Sequence, residues 1–194
     1  RAQRRPAAPV SGGRIVAFGQ AGNDDMQVAG SINLSAWLDG GTGNDRLKGG
    51  AGNDVLLGGA GDDLIVGGDG RDLLIGGFGA DRLVGNAADD ILIAGTTDHD
   101  ADKTALWSIM NEWTRTDADF CTRVDHLTNG NGANESVRLN CVTVYDDDAA
   151  DVLTGCEGQD WFLFNQDGGV TDRATDMKTF ETMFAEDVEF ISAP

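Results

Sequence analysis

The chain has few of the side chains on which catalysis and nucleic-acid binding usually rest. Its 194 residues include two histidines, three cysteines, three prolines and one tyrosine. Its 14 Lys and Arg face 33 Asp and Glu, for a formal charge of −19. An acidic excess of that size excludes nucleic acid and anionic membrane as partners, because both would repel it. No apolar run approaches the ~18 residues that a membrane-spanning helix needs. The opening RAQRRPAAPVSGG carries no secretory leader pattern. With Arg1, Arg4, Arg5 and Arg14 against no acid, residues 1–14 read as a mature N-terminus or a basic linker arm.

Catalytic signatures are missing too. His99 and His126 sit in different settings, with no His-Glu-x-x-His helix and no Gly-x-Ser-x-Gly elbow. His99 reads as a satisfied turn residue. Cys121, Cys141 and Cys156 match no zinc spacing and have no evident histidine partner. In an extracellular protein they would form one disulfide with one cysteine over, and the pairing stays open. The pairs Asp62–Asp63 and Asp89–Asp90 could imitate a glycosidase's two carboxylates, but their repeat phase explains them better. Asn33-Leu34-Ser35 and Asn134-Glu135-Ser136 match the short glycosylation pattern, which arises readily by chance. No enzyme is expected.

What the chain has in quantity is glycine, 28 residues, and much of it falls at fixed phase. Residues 40–93 divide without gaps into GGTGNDRLK, GGAGNDVLL, GGAGDDLIV, GGDGRDLLI, GGFGADRLV and GNAADDILI. Each follows G-G-x-G-x-D-x-U-x, with U a large aliphatic, the pattern of a calcium-binding parallel β-helix. Glycine in the first, second and fourth places permits φ > 0 and close backbone approach, so carbonyls can face a cation. The sixth-place aspartate adds a hard carboxylate oxygen. Calcium, with about six to eight oxygens at roughly 2.3–2.6 Å, suits such mixed cages better than magnesium. The last three residues form a short strand whose middle member points inward: Leu47, Leu56, Ile65, Leu74, Leu83 and Leu92. One aliphatic per turn is a thin core, so metal binding must supply much of the folding free energy.

The block resembles the RTX, or haemolysin-type, calcium-binding repeats of secreted bacterial proteases, lipases, toxins and surface proteins. That resemblance implies a mainly β fold, a right-handed parallel β-roll with two nonapeptides per coil. It implies several Ca²⁺ ions shared between turns two repeats apart, about four in this block. The implied carboxylate ligands are Asp45, Asp54, Asp63, Asp72, Asp81 and Asp90. The implied carbonyl ligands come from the glycine turns, Gly41, Gly43, Gly50, Gly52, Gly59, Gly61, Gly68 and Gly70. The last repeat departs from the pattern with Asn86 and Ala88 in glycine places.

Weaker copies extend the roll both ways. Gly19-Gln20-Ala21-Gly22-Asn23-Asp24 is a turn out of phase with the block, and it adds Asp24 as a ligand. DDDAADVLT and GCEGQDWFL, residues 146–163, add Asp151 and Asp160. The organisation read from this is an arm 1–14, a roll 15–97, an insertion 98–145, resumed repeats 146–163 and a C-terminal cap 164–194. Alternate repeats lie on opposite sheets. Those at 49, 67 and 85 turn Val55, Leu57, Leu73, Ile75, Ile91 and Ile93 outward, a wholly apolar face that needs cover. Those at 40, 58 and 76 turn out Arg46, Lys48, Leu64, Val66, Arg82 and Val84, a mixed face. Residues 101–116 predict a covering helix with Leu106, Ile109, Met110 and Trp113 in one stripe, capped by Asp98 or Asp100. Trp107 falls off that stripe and is expected either in solvent or against residues 136–144. A strand is expected over 136–144 and a turn at 129–132. The finish Glu186-Asp187-Val188-Glu189-Phe190-Ile191 loosely resembles the C-terminal signals of type I secreted RTX proteins.

Two functions follow as expectations. One is an extracellular or bacterial cell-surface structural or adhesive module, able to assemble head-to-tail as a homopolymer through the arm or the solenoid ends. The other is a calcium-dependent folding or secretion module of a larger enzyme or toxin. A hydrolase built on residues 98–145 is disfavoured, because that segment has no converging nucleophile and base.

Overall fold

The computed structural model describes residues 13–166 and 169–177. Strands alternate between two sheets. β1 (Ile15–Ala21) and β2 (Asp25–Gln27) open the series, followed by β3 (Ala36–Thr42), β4 (Arg46–Lys48), β5 (Val55–Ala60), β6 (Leu64–Asp69), β7 (Leu73–Phe78), β8 (Arg82–Ala87) and β9 (Ile91–Ile93). The chain then leaves through β10 (Thr96–Thr97), α1 (Lys103–Trp113), α2 (Phe120–Asn129) and β11 (Val144–Tyr145). It returns with β12 (Val152–Cys156), β13 (Trp161–Leu163) and β14 (Arg173–Ala174). One sheet runs β1-β3-β5-β7-β9-β13 and the other β2-β4-β6-β8-β12-β14, every pair parallel. This is the two-sheeted parallel β-roll.

Stacking is in register, so like residues meet. Leu38, Leu56, Leu74, Leu92 and Phe162 form one inward column, and Leu47, Ile65, Leu83 and Leu153 the other. All belong to a single buried cluster between the sheets. The outward apolar residues Val55, Leu57, Leu73, Ile75, Ile91 and Ile93 are buried as well, under Leu106, Ile109, Met110 and Trp113 of α1 and Phe120, Val124 and Leu127 of α2. The sheet face that needed cover has it.

The covering segment differs from expectation in four ways. The cap of α1 is Asp102, whose Oδ1 accepts the Thr104 and Ala105 N–H groups at 2.9 and 3.2 Å. Asp100 instead holds Thr97, through its amide at 3.0 Å and its hydroxyl at 2.5 Å. Second, residues 120–129 form α2, with Asp119 capping the Thr122 N–H at 2.8 Å and Gly130 closing the helix at φ 75°. Third, residues 136–144 are not a strand. Only Val144 and Tyr145 pair, antiparallel with Thr97 and Thr96, because Leu139 is drawn down to donate its N–H to Leu127 at 2.9 Å. Fourth, Trp107 meets neither solvent alone nor that segment: its ring lies 5.8 Å from Trp37, and the Arg14 guanidinium sits 3.9 Å above it. Residues 1–12 of the basic arm and 178–194 of the tail lie outside the described residues.

Candidate metal centre

The out-of-phase copies are absorbed in turns. Within the block each aspartate Oδ1 accepts the backbone N–H of the equivalent residue 18 positions earlier, as Asp63 does from Asp45 at 2.6 Å. Between Asp24 and Asp45 the offset is 21, and the extra residues sit in the loop 28–35. Between Asp81 and Asp151 it is 70, across the whole insertion, with the same bond at 2.6 Å. Two columns result. Asp24, Asp45, Asp63, Asp81, Asp151 and Asp172 precede the strands of one sheet. Asp54, Asp72, Asp90 and Asp160 precede those of the other, with Ala36 where a further aspartate would stand.

Each Oδ1 thus closes the backbone ladder, and the second oxygen has a different setting. Oδ2 of Asp24, Asp45, Asp63, Asp72, Asp81, Asp90 and Asp151 is buried and accepts no hydrogen bond. A Cβ on Gly40 would run into Asp45 Oδ2 and the carbonyl of Gly58 in the next coil. Gly58, Gly67, Gly76 and Gly85 repeat this, each against its own turn's aspartate and a carbonyl from the following coil. That crowding, rather than φ, requires the first-place glycine. Within residues 40–93 positive φ occurs only in the second and fourth places, as at Gly41 (100°), Gly43 (122°), Gly59, Gly61, Gly68 and Gly70. Their carbonyls, such as Gly41 and Gly43 against Gly59 and Gly61, face the turn of the next coil. Asn86 and Ala88 keep the same conformation, at φ 86° and 74°, so the turn survives without glycine at a cost in strain.

One predicted turn does not conform. Gly50 and Gly52 have no positive φ, because they stack on Ile32 and Leu34 of the irregular loop 28–35 rather than on another glycine turn. Asp54 then spends both oxygens on amides, Oδ1 on Ala36 at 2.6 Å and Oδ2 on Gly50 at 2.8 Å. Asp172 was missed by sequence reasoning. It is 9 % exposed and its carboxylate accepts the amides of Asp151 and Asn165 at 3.0 and 2.8 Å. The fifth-place residues were missed as a set: Asn23, Asn53, Asp62 and Asp89 each accept the amide of the fifth residue one coil on, at 2.9–3.1 Å.

Stacking acids in a dry column is costly. Desolvation, reinforced by neighbouring column carboxylates, lifts Asp63 to about 6, Asp81 and Asp151 to about 8 and Asp90 to about 10, and Asp72 well above the usual range. Burial alone lifts Asp54 to about 6 against two amide bonds. A hard dication beside these oxygens would reverse the balance. Among the described residues no three His, Cys, Asp or Glu side chains gather at one point, so backbone carbonyls must supply most of any cage. The donor set fits calcium.

Residues 39–74 and 66–98 match the family model of the RTX calcium-binding nonapeptide repeat, in 4 copies. These residues are RTX repeats. Among curated proteins and among solved structures, none matches the chain. The RTX segment is therefore a calcium-binding β-roll, and the column geometry continues beyond it, to Asp24 on one side and Asp172 on the other. No helix among the described residues is long and apolar enough to cross a membrane.

The RTX turns also carry the insertion. Asp89 Oδ2 lies 2.6 Å from Arg123 Nη2 and 3.3 Å from Arg71 Nη2. Arg123 and Arg71 donate in turn to the Trp113 and Arg115 carbonyls at 2.8 Å, and Trp113 Nε1 donates to the Asp89 carbonyl at 2.7 Å. Both histidines have partners within the insertion. His99 Nε2 is 2.9 Å from the Arg138 carbonyl, and His126 Nδ1 is 2.7 Å from the fully buried Glu112. Cys121 and Cys141 form no disulfide.

Proposed function

We propose that the chain is a calcium-stabilised extracellular module with a structural or adhesive role and no catalytic centre of its own. The observation that carries this is the pair of aspartate columns, with seven buried Oδ2 atoms that accept no hydrogen bond. A fold that concentrates so many buried carboxylates is poorly stable where calcium is scarce and stable where it is plentiful, which is outside the cell. The predicted ligands of the second column, Asp72, Asp90 and Asp160, and of the first, Asp24, Asp45, Asp63, Asp81 and Asp151, act in this reading, and Asp54 does so least.

Circular dichroism and sedimentation of the protein in calcium and in chelator test the reading. A β-rich monomer or assembly that loses β signal and melts at much lower temperature in chelator is expected; an unchanged spectrum and melt would sink it. Head-to-tail assembly belongs to the same reading, since among the described strands β1 and β2 are paired on one side only. A single monomeric species at every protein concentration in calcium would remove that part alone.

A further inference from the structure

Where the insertion leaves the roll, a cleft of about 240 Å³ opens beside the outer sheet face. Leu57, Ile75, Asp39, Asp100, Thr96 and Phe78 are among the residues that line it. Three features set it apart from the rest of the roll. Phe78 occupies the third place of its repeat, where the neighbouring coils in register carry Thr42 and Ala60, and it is 60 % exposed. Its ring is therefore open to a ligand arriving from solvent. Asp39 interrupts a column that otherwise reads Phe18, Leu57, Ile75 and Ile93. Among the described residues no hydrogen bond or close ion pair holds its carboxylate, which feels burial first and then the nearby Lys103 charge. Asp100 is fixed in place by Thr97, so its charge is held at the cleft rather than swinging free.

We infer that this cleft binds an organic cation on an aliphatic stem, the side chain of an arginine or lysine presented by a protein partner. The stem lies on Leu57 and Ile75, the charged head lies between Asp39 and Asp100, and the face of Phe78 adds cation–π attraction. The chain displays the same chemistry next door: the Lys103 ammonium sits 4.0 Å above the Phe18 ring, in the strand beside Asp39. A chain with 33 acids and 14 basic residues attracts cationic partners from a distance, and the cleft supplies the short-range selection.

The test uses the whole chain saturated with calcium, with arginine amide as probe and citrulline amide as its neutral isostere, followed by titration calorimetry and by NMR of the Phe78 ring. Saturable binding of arginine amide that shifts the Phe78 ring, weakens with salt and exceeds that of citrulline amide is expected. Phe78→Ala and Asp39→Asn should each weaken it about tenfold, with circular dichroism in calcium confirming that both variants are folded. Equal binding of the two amides, no saturation, or unchanged binding in both folded variants would overturn the proposal. So would displacement of the amide by excess calcium. The inference gives the adhesive reading a partner chemistry but does not share its test: chelation reads the fold, and this titration reads the cleft.

Discussion

The molecule has two hydrophobic cores on the two sides of one sheet, and they are built on opposite principles. Inside the roll, β4 to β9 each contribute one buried aliphatic, stacked in register as Leu74 on Leu56 and Leu83 on Ile65. Neighbouring side chains are nearly identical, and the turns that hold them are lined with buried carboxylates. Outside, Trp37, Trp113 and Trp161 pack with leucines, isoleucines and Phe120 from two helices and a sheet. Trp113 meets Phe120 edge-on at 5.6 Å and Trp161 at 6.2 Å. That core is irregular, aromatic and close to complete without a cation. One sheet therefore joins a part of the fold that calcium controls to a part that ordinary packing controls.

The largest break in this comparison is removal of calcium. At a free concentration 100 times the dissociation constant, each site stabilises the fold by about 2.7 kcal/mol, so a few sites together are comparable to the stability of a typical domain, about 5–15 kcal/mol. Hydrogen exchange in chelator should show the β4, β6 and β8 amides losing protection first, with α1 and α2 last. The calcium-free protein should also respond to pH in an unusual sense. The folded carboxyls of Asp81 and Asp151 sit at about 8, above the usual carboxylate range. The folded state therefore binds more protons than the unfolded one, and stability falls as pH rises from about 4 to about 8. Thermal melts across that window check the sign. With calcium present the trend should reverse, because the metal needs the ionised forms.

Trp113→Ala attacks the other core and should cost about 3–5 kcal/mol in denaturant unfolding. The calcium stoichiometry, read by calorimetry, should stay unchanged. Asp89→Ala removes the carboxylate that ties the two together and takes the ion-pair partner from Arg123, which is 2 % exposed. A loss of about 3 kcal/mol and a shift of tryptophan emission to longer wavelength are expected. The smallest effect belongs to Asp72→Asn. It keeps an acceptor for the Asp54 amide and removes one buried charge. It should weaken calcium binding yet slightly stabilise the calcium-free fold, and paired melts with and without calcium will separate the two.

The roll was legible because its repeat writes geometry directly into residue type. Glycine phase placed the turns, and aliphatic phase placed both cores, including the face that α1 covers. The insertion was less legible because its logic is local. α2 announces itself only through Asp119, the apolar spacing of Phe120, Val124 and Leu127, and Gly130, all inside a polar stretch. The columns were half legible. Asp172 lies 21 residues after Asp151, the same slip that separates Asp24 from Asp45, but the glycines before it, Gly168 and Gly169, do not keep the G-G-x-G phase, which has Asp167 and Val170 in the first and fourth places. The conflict at Asp54 could not be read from its own repeat, which is regular. It arises from the neighbouring loop 28–35, against which Gly50 stacks.

The bond from the Asp81 amide to Asp151 spans 70 residues and is no different in kind from those that span 18. That equality has a kinetic consequence. Closing an unstructured loop of that length before β12 can add to β8 is slow, since non-local pairing must wait for loop closure. If α1 and α2 dock first on the finished face of β3, β5 and β7, the loop shortens and the exit and return points at β10 and β11 are brought together. The helical hairpin then serves as an assembly jig for the last coils. Growth of the roll becomes directional, from the coils made first to those made after the detour.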